Sequence, residues 1–350
     1  MKELLKTLVD IPGPCGFEHE VIRFLYERLK DRADEIYVNG LGDLIVVKHG
    51  ANKGPVLAVS AHTDEVGFIV KKIESSGLLR FEKLGGHDDR ILPAQRVIVT
   101  SDNGPHPGVI GTISAHMMKF DNAQMIRGYR ELYIDVGARN KEDVEAMGIR
   151  PGDCITWDSP VREAGSRLYG HAFDDRCGCA LLVNAFETVD FSKVYGTLIG
   201  IFSTQEEVGL RGAYAAASEL RPDVALAVDT TAVSDTPEGM MDHTLGLGEG
   251  AGIKIMDASL IASKAVWKFL EKCAAEEGIP YQTEIFTGIG TDAGALHMGY
   301  GGVPTGVISV PSRYAHSCVE MIDPEDFTAC GRLLNAFILR MRSKEDFAFL

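Results

Sequence analysis

Four short apolar runs, at 55–61, 197–202, 224–228 and 305–310, each carry a histidine, aspartate or glutamate at or just past the same end. Runs of this length, bounded by turn residues and rich in β-branched side chains, read as buried strands. Apolar residues at helical spacing mark helices at 18–29, 177–186, 260–275 and 327–340. A chain that alternates in this way folds as an α/β domain, a mixed sheet covered by helices on both faces. The constraint reaches beyond fold class, because α/β sheets bind ligands at the carboxyl ends of their strands. His62, Glu206, Glu207, Asp229 and His316 all fall there.

Between about 70 and 165 the texture changes. Short β-branched runs at 96–100, 108–113 and 132–136 are broken by Gly, Pro, Asp and Asn, and only 141–147 has helical spacing. This predicts a small β-barrel inserted into the α/β domain, with 1–69 and 166–350 as the α/β unit and 70–165 as the insertion. A structureless excursion of that length is rare in compact domains.

Composition narrows the setting. With 350 residues, 45% of them hydrophobic, the chain can bury a sizeable core. Residues 1–9 intersperse charges without the apolar stretch of a signal peptide, and no later run reaches the length of a membrane span. Seven cysteines, odd in number and without CxxC spacing, suit buried thiols in a reducing compartment. These features predict a cytoplasmic protein. A formal net charge of −15 argues against nucleic acid or an anionic membrane as partner, since both repel acidic surfaces.

Two adjacent carboxylates, Glu206 and Glu207, where a buried strand emerges are costly unless a cation intervenes. The pair suggests a metal site with a resident base. Side chains one apart on a regular strand face opposite ways, so the chain must leave strand geometry near Gln205 for both to serve one site. His62 and Asp64 lie two apart on one face of a strand end, so one can bind metal while the other orients it. Asp174 and Asp175 precede an apolar helix. One can cap it, while the other can bridge two ions about 3.5–4 Å apart through its two oxygens. His87, His116 and His171 receive no role, and Gly288-Ile289-Gly290-Thr291 lacks the rest of a dinucleotide fingerprint.

Together, the blocks Pro12–Glu18, Ala61–Phe68, Phe173–Arg176, Gln205–Ala213, Gly290–Ala295 and Ala315–Ser317 resemble the co-catalytic dizinc aminopeptidases of the glutamyl aminopeptidase-like family. That family includes the tetrahedral aminopeptidases and some proteins labelled endoglucanase or cellulase. The resemblance spans nearly the whole chain and implies a zinc-exopeptidase-like fold. It implies that Asp174 bridges two divalent ions, with His62 and Asp229 completing one site and Glu207 and His316 the other. It also implies a cis peptide between Asp174 and Asp175. Zinc comes first as the metal, and cobalt or manganese also suits three carboxylates and two neutral imidazoles.

Under the same resemblance Glu206 stays free of metal and acts as general base, then acid, while a hydroxide held by both ions hydrolyses the N-terminal residue of a short peptide. Asp64 would orient His62, Asp175 would stand behind the ligands, and Thr291 and Asp292 would border the substrate pocket. The inserted domain would mediate dimerisation, with dimers assembling into a dodecamer. Two other classes stand beside this one. A glycoside hydrolase needs two carboxylates and no metal, which leaves His62, Asp229 and His316 unexplained; the other is a non-catalytic oligomeric scaffold. The loops 231–257 and 286–294, expected to set the preferred N-terminal residue, carry no readable code.

Overall fold

In the computed structural model, which describes residues 1–121, 125–237 and 245–349, the apolar runs become the middle of an eleven-stranded sheet. Four parallel strands form its centre, in the order Tyr195–Ser203, Asn52–His62, Val224–Ala232 and Thr305–Arg313. Leu44–His49 and Glu35–Val38 extend it antiparallel on one side. On the other side Glu320–Ile322, Arg167–Gly170 and Arg162–Ala164 follow, each antiparallel to its neighbour. Arg162–Ala164 falls in the range that the sequence assigns to the insertion, yet it pairs in the large sheet. Ala251–Met256 pairs with Thr305–Arg313 and carries Tyr281–Ile285 beside it.

Alternation along the strands explains why both faces are covered. Leu57, Val59, Ala61, Leu198, Phe202, Leu226 and Val228 enter one core, while Ala58, Ile199, Ile201 and Ala225 enter another. Successive side chains of a strand point to opposite faces, so each face needs its own apolar cover. Helices Lys2–Val9, His19–Leu29, Phe173–Thr188, Lys264–Glu277 and Pro324–Arg340 contribute to the first core. Arg211–Glu219 and Ala293–Leu296 contribute to the second.

Helix Phe173–Thr188 is buried along most of its length and packs on the two central strands. Gly178 permits that approach. A Cβ there would lie 2.6 Å from the Val228 carbonyl oxygen and would collide with the Asp175 carboxylate.

After His62 the chain leaves the sheet and builds a closed barrel. Its strands run in the order Gly67–Ile73, Leu79–Leu84, Ile134–Asp135, Gly104–Ile110, Arg96–Ser101 and Cys154–Trp157. In Arg96–Ser101 the buried residues alternate, with Val97, Val99 and Ser101 facing inward. The barrel has its own core, in which Phe68 meets Phe81 and Trp157 edge-on at 5.1 Å. Such aromatic pairs contribute about 0.5–1.5 kcal/mol each beyond their buried area. All seven cysteines are buried and free. No helix among the described residues is long and apolar enough to cross a membrane.

Candidate metal centre

The parallel strands bring the predicted residues to one edge of the sheet. His62 ends its strand, in register with Ser203, the last residue of the neighbouring strand. Asp229 lies within Val224–Ala232 rather than after it, because that strand runs three residues past Asp229. His316 follows Thr305–Arg313 in a turn where both Tyr314 and His316 have positive φ.

Asp174 approaches from the helix. Ala172 enters with φ 53°, Asp174 and Asp175 depart from helical angles, and the peptide between them is cis. The two oxygens of Asp174 face different partners. Oδ1 lies 3.0 Å from His62 Nε2, and Oδ2 lies 3.6 Å from His316 Nε2. His62 Nε2 is also 3.8 Å from Asp229 Oδ1, and His316 Nε2 is 3.3 Å from Glu207 Oε1. Two groups of donors thus share one carboxylate. Asp175 also brings an oxygen within 4.8 Å of donors on His62 and Asp229. Both its oxygens are engaged, however, by the amides of His62 at 3.2 Å and Gly178 at 2.8 Å.

Backbone carbonyls fix the imidazoles. His62 Nδ1 is 3.1 Å from the Asp64 carbonyl oxygen and His316 Nδ1 is 3.0 Å from that of Gly86. A carbonyl only accepts, so each Nδ1 carries a proton, which leaves Nε2, aimed at the carboxylates, as the nitrogen that would ligate a metal. The Asp64 side chain does more than face His62. Its carboxylate is 3.6 Å from His62 Nδ1, too long for a hydrogen bond. It instead accepts from the Glu206 amide at 2.9 Å and the Glu207 amide at 3.1 Å.

Those bonds belong to a larger arrangement. The strand ends at Ser203, and Gln205 takes φ 55°, so the chain leaves strand geometry where the paired glutamates require it. Four consecutive amides of the turn are held by buried carboxylates: Thr204 by Asp43 at 2.9 Å, Gln205 by Glu18 at 3.1 Å, then Glu206 and Glu207 by Asp64. Gly212 leaves room for it, since a Cβ there would lie 2.6 Å from the Thr204 nitrogen and collide with Asp43. Glu320 acts similarly, accepting from the Asp174 amide at 3.0 Å and the His316 amide at 2.9 Å.

Sequence reasoning missed Glu18, Asp43 and Glu320. Glu18 closes the Pro12–Glu18 block and Glu320 stands four residues after His316, but neither position by itself signals a partner. Thr291 and Asp292 are buried and do not line the cavity; Asp292 accepts hydrogen bonds from Ser60 and Ser203 at 2.5 Å each. His171 bonds Glu65 at 2.7 Å, and His87 lies against the Phe68 ring with its pKa lowered by burial to about 3.

The electrostatics ask for cations. Burial, and then repulsion from neighbouring carboxylates, push Asp229 and Glu206 well above the usual carboxylate range and raise Glu207 as well. Burial would raise Asp174 too, but bonding to His316 and His62 holds it below. Burial opposes the charged form of His62, yet the surrounding carboxylates carry it well above its ordinary value. Glu207 Oε1 is buried without a hydrogen-bond donor. A cluster rich in carboxylate oxygens, with two imidazole Nε2 atoms aimed into it, fits divalent ions of the zinc type, which would take the place of the protons the imidazoles hold there. It opens onto a cavity of about 890 Å³ that also touches Glu206.

A family model described as M42 glutamyl aminopeptidase matches residues 42–333. The chain is 31% identical to the glutamyl aminopeptidase of Lactococcus lactis, over 97% of this chain and 96% of that protein. Among solved structures, an aminopeptidase from the archaeon Desulfurococcus kamchatkensis superposes with a TM-score of 0.93 at 38% identity, covering 99% and 96% of the two chains. The TET1 peptidase of Pyrococcus horikoshii, described as assembling into a tetrahedron or a large octahedral shell, matches with a TM-score of 0.85 at 32% identity, covering 96% and 98%.

Proposed function

This chain belongs to the M42 glutamyl aminopeptidase family, and on that premise we propose that it removes the N-terminal residue of short peptides with two divalent ions as cofactors. The observation that supports this most is the divided carboxylate of Asp174, one oxygen toward His62 and the other toward His316. His62, Asp174 and Asp229 would hold one ion, and Asp174, Glu207 and His316 the other. When bound, the pair supplies Lewis acidity toward the scissile carbonyl and acidifies the attacking water.

The chain's own residues do the rest. Glu206 faces the same cavity, takes the proton of the attacking water on its carboxylate, and returns it to the departing amine. Asp64 holds the amides of both glutamates, so Glu206 and Glu207 divide the roles of proton carrier and ligand. Asp175 fixes the His62 main chain, and Glu320 ties Asp174 to His316. Zinc is the first choice of metal, with cobalt and manganese compatible with the same donors.

The relative from Pyrococcus horikoshii self-assembles, and we extend this to the present chain, with the inserted barrel, read as 70–165, as the contact surface. Seven free cysteines accord with a reducing, cytoplasmic setting. Removing metal with a chelator should abolish hydrolysis of aminoacyl peptides, and zinc, cobalt or manganese should restore it. Turnover that survives complete metal removal would contradict the proposal and return a two-carboxylate glycosidase to contention.

A further inference from the structure

The cavity before the carboxylate cluster has a second character. Away from its polar floor it is faced by Ile91, Leu210, Ala232, Phe286, Ile289 and Tyr314. None of these is fully buried, and Tyr314 is 49% exposed, so apolar surface is turned to open space. Among the described residues Asp88 is the one lining acid outside the cluster, and it is bonded to Arg90 Nε at 2.7 and 2.9 Å. Among the described residues no lysine or arginine lines the cavity. Residues 122–124 and 238–244, which lie outside the described residues, bring none by sequence. Lys254, behind the wall formed by Thr231, is fully buried and spent on Glu284 at 2.9 Å, which also accepts the Thr231 hydroxyl at 2.5 Å.

We infer that the subsite for the substrate's N-terminal side chain takes neutral, apolar residues of the leucine or phenylalanine type and disfavours both glutamate and lysine. The inference rests on the aminopeptidase reading and goes beyond it by choosing the substrate class. A glutamate side chain entering this cavity gives up water and meets no lysine or arginine among the described residues to pair with, while the ions on the floor are taken up by their own ligands, the scissile carbonyl and the attacking water. Among the described residues, a lysine side chain finds its one acid outside the metal cluster already paired. An apolar side chain gives up no hydrogen bond and removes apolar protein surface from water. The family's name would suggest an acidic preference; the lining points the other way.

The test uses the full-length protein with its metal content measured. Leucyl, phenylalanyl, glutamyl and lysyl anilides are compared by kcat/KM, and the matching aminoacyl hydroxamates by calorimetric affinity. Leucyl or phenylalanyl substrates should exceed glutamyl and lysyl ones at least tenfold, with the hydroxamates in the same order. Glutamyl or lysyl turnover equal to or above leucyl turnover would overturn the inference and leave the peptidase reading intact. No turnover of any anilide by metal-loaded protein would sink the peptidase reading, and the hydroxamate order would still decide the chemistry of the subsite. Ile289→Lys should raise the glutamyl-to-leucyl ratio at least tenfold. An unchanged ratio in a variant that still cleaves the leucyl substrate would place the subsite elsewhere and overturn the inference.

Discussion

Replacing Glu18 tests whether the turn that carries the two glutamates is held from a distance. Glu18 is 4% exposed, and its Oε1 accepts from the Gly16 amide at 2.8 Å and the Gln205 amide at 3.1 Å. In Glu18→Ala the amide of Gly16, an exposed residue, can turn to water, but the amide of half-buried Gln205 loses its partner. An unsatisfied buried donor costs about 1–3 kcal/mol. The loss falls on a residue at φ 55°, where a side chain already costs about 1–2 kcal/mol. Relief of a buried charge offsets part of this, since burial and the Asp64 carboxylate push the Glu18 pKa up to about 7.

The remainder is enough to let the turn relax and move Glu206 out of reach of its proton. A misplacement of about 1 Å can cost about 100-fold, so kcat should fall about 10- to 100-fold with KM nearly unchanged. Glu18→Gln keeps an acceptor oxygen and should restore kcat to within a few-fold of the parent. Metal content by elemental analysis should be unchanged in both. Wild-type kcat in Glu18→Ala would refute the reasoning, as would equal damage in Glu18→Gln.

Two further outcomes follow from the same site. Asp174→Ala removes the carboxylate shared by both donor groups, so elemental analysis should show loss of both ions; retention of one full equivalent would mean that Asp174 is not shared. Burial, with added repulsion from Asp64 and Asp174 respectively, raises Glu18 to about 7 and Glu320 to about 8 from 4.5. A carboxyl whose folded pKa lies above its unfolded value makes the ion-free fold most stable below pH 4.5, with that stability lost as pH rises through 7 to 8. Metal binding opposes the loss, because cations at the neighbouring carboxylate cluster favour the ionised forms. The drop in Tm on chelation should therefore widen from pH 5.5 to pH 8, and a constant gap would contradict the sign.

The strands and their carboxyl-end residues were legible because burial on both faces leaves an apolar run, and such runs need no partner to be recognised. The barrel was legible for a related reason: Val97 and Val99 alternate with more exposed neighbours, a period that only a half-buried strand produces. The departure at Gln205 followed from side-chain alternation alone. What stayed hidden was the support beneath the site. Glu18, Asp43 and Glu320 reach amides 187, 161 and 146 residues away, and no local pattern encodes a bond that exists only after the sheet has formed. A shared strand end suggests Asp64 as a partner of His62, and the two side chains do lie 3.6 Å apart. Hidden from the sequence are its bonds to the Glu206 and Glu207 amides, which belong to the neighbouring strand's exit. The resemblance puts Asp292 at the pocket, whereas in the fold it is buried and bonded to the hydroxyls of Ser60 and Ser203.

The central claim is that Glu206 carries the proton while its neighbour Glu207 serves the metal. Glu206→Gln removes the base and keeps the shape of the side chain, so it separates the two roles in one measurement of turnover and bound metal on the same sample. The account predicts two ions per chain, as in the parent, and a kcat lower by about 10²–10⁴-fold. Full activity, or loss of metal together with activity, would contradict it.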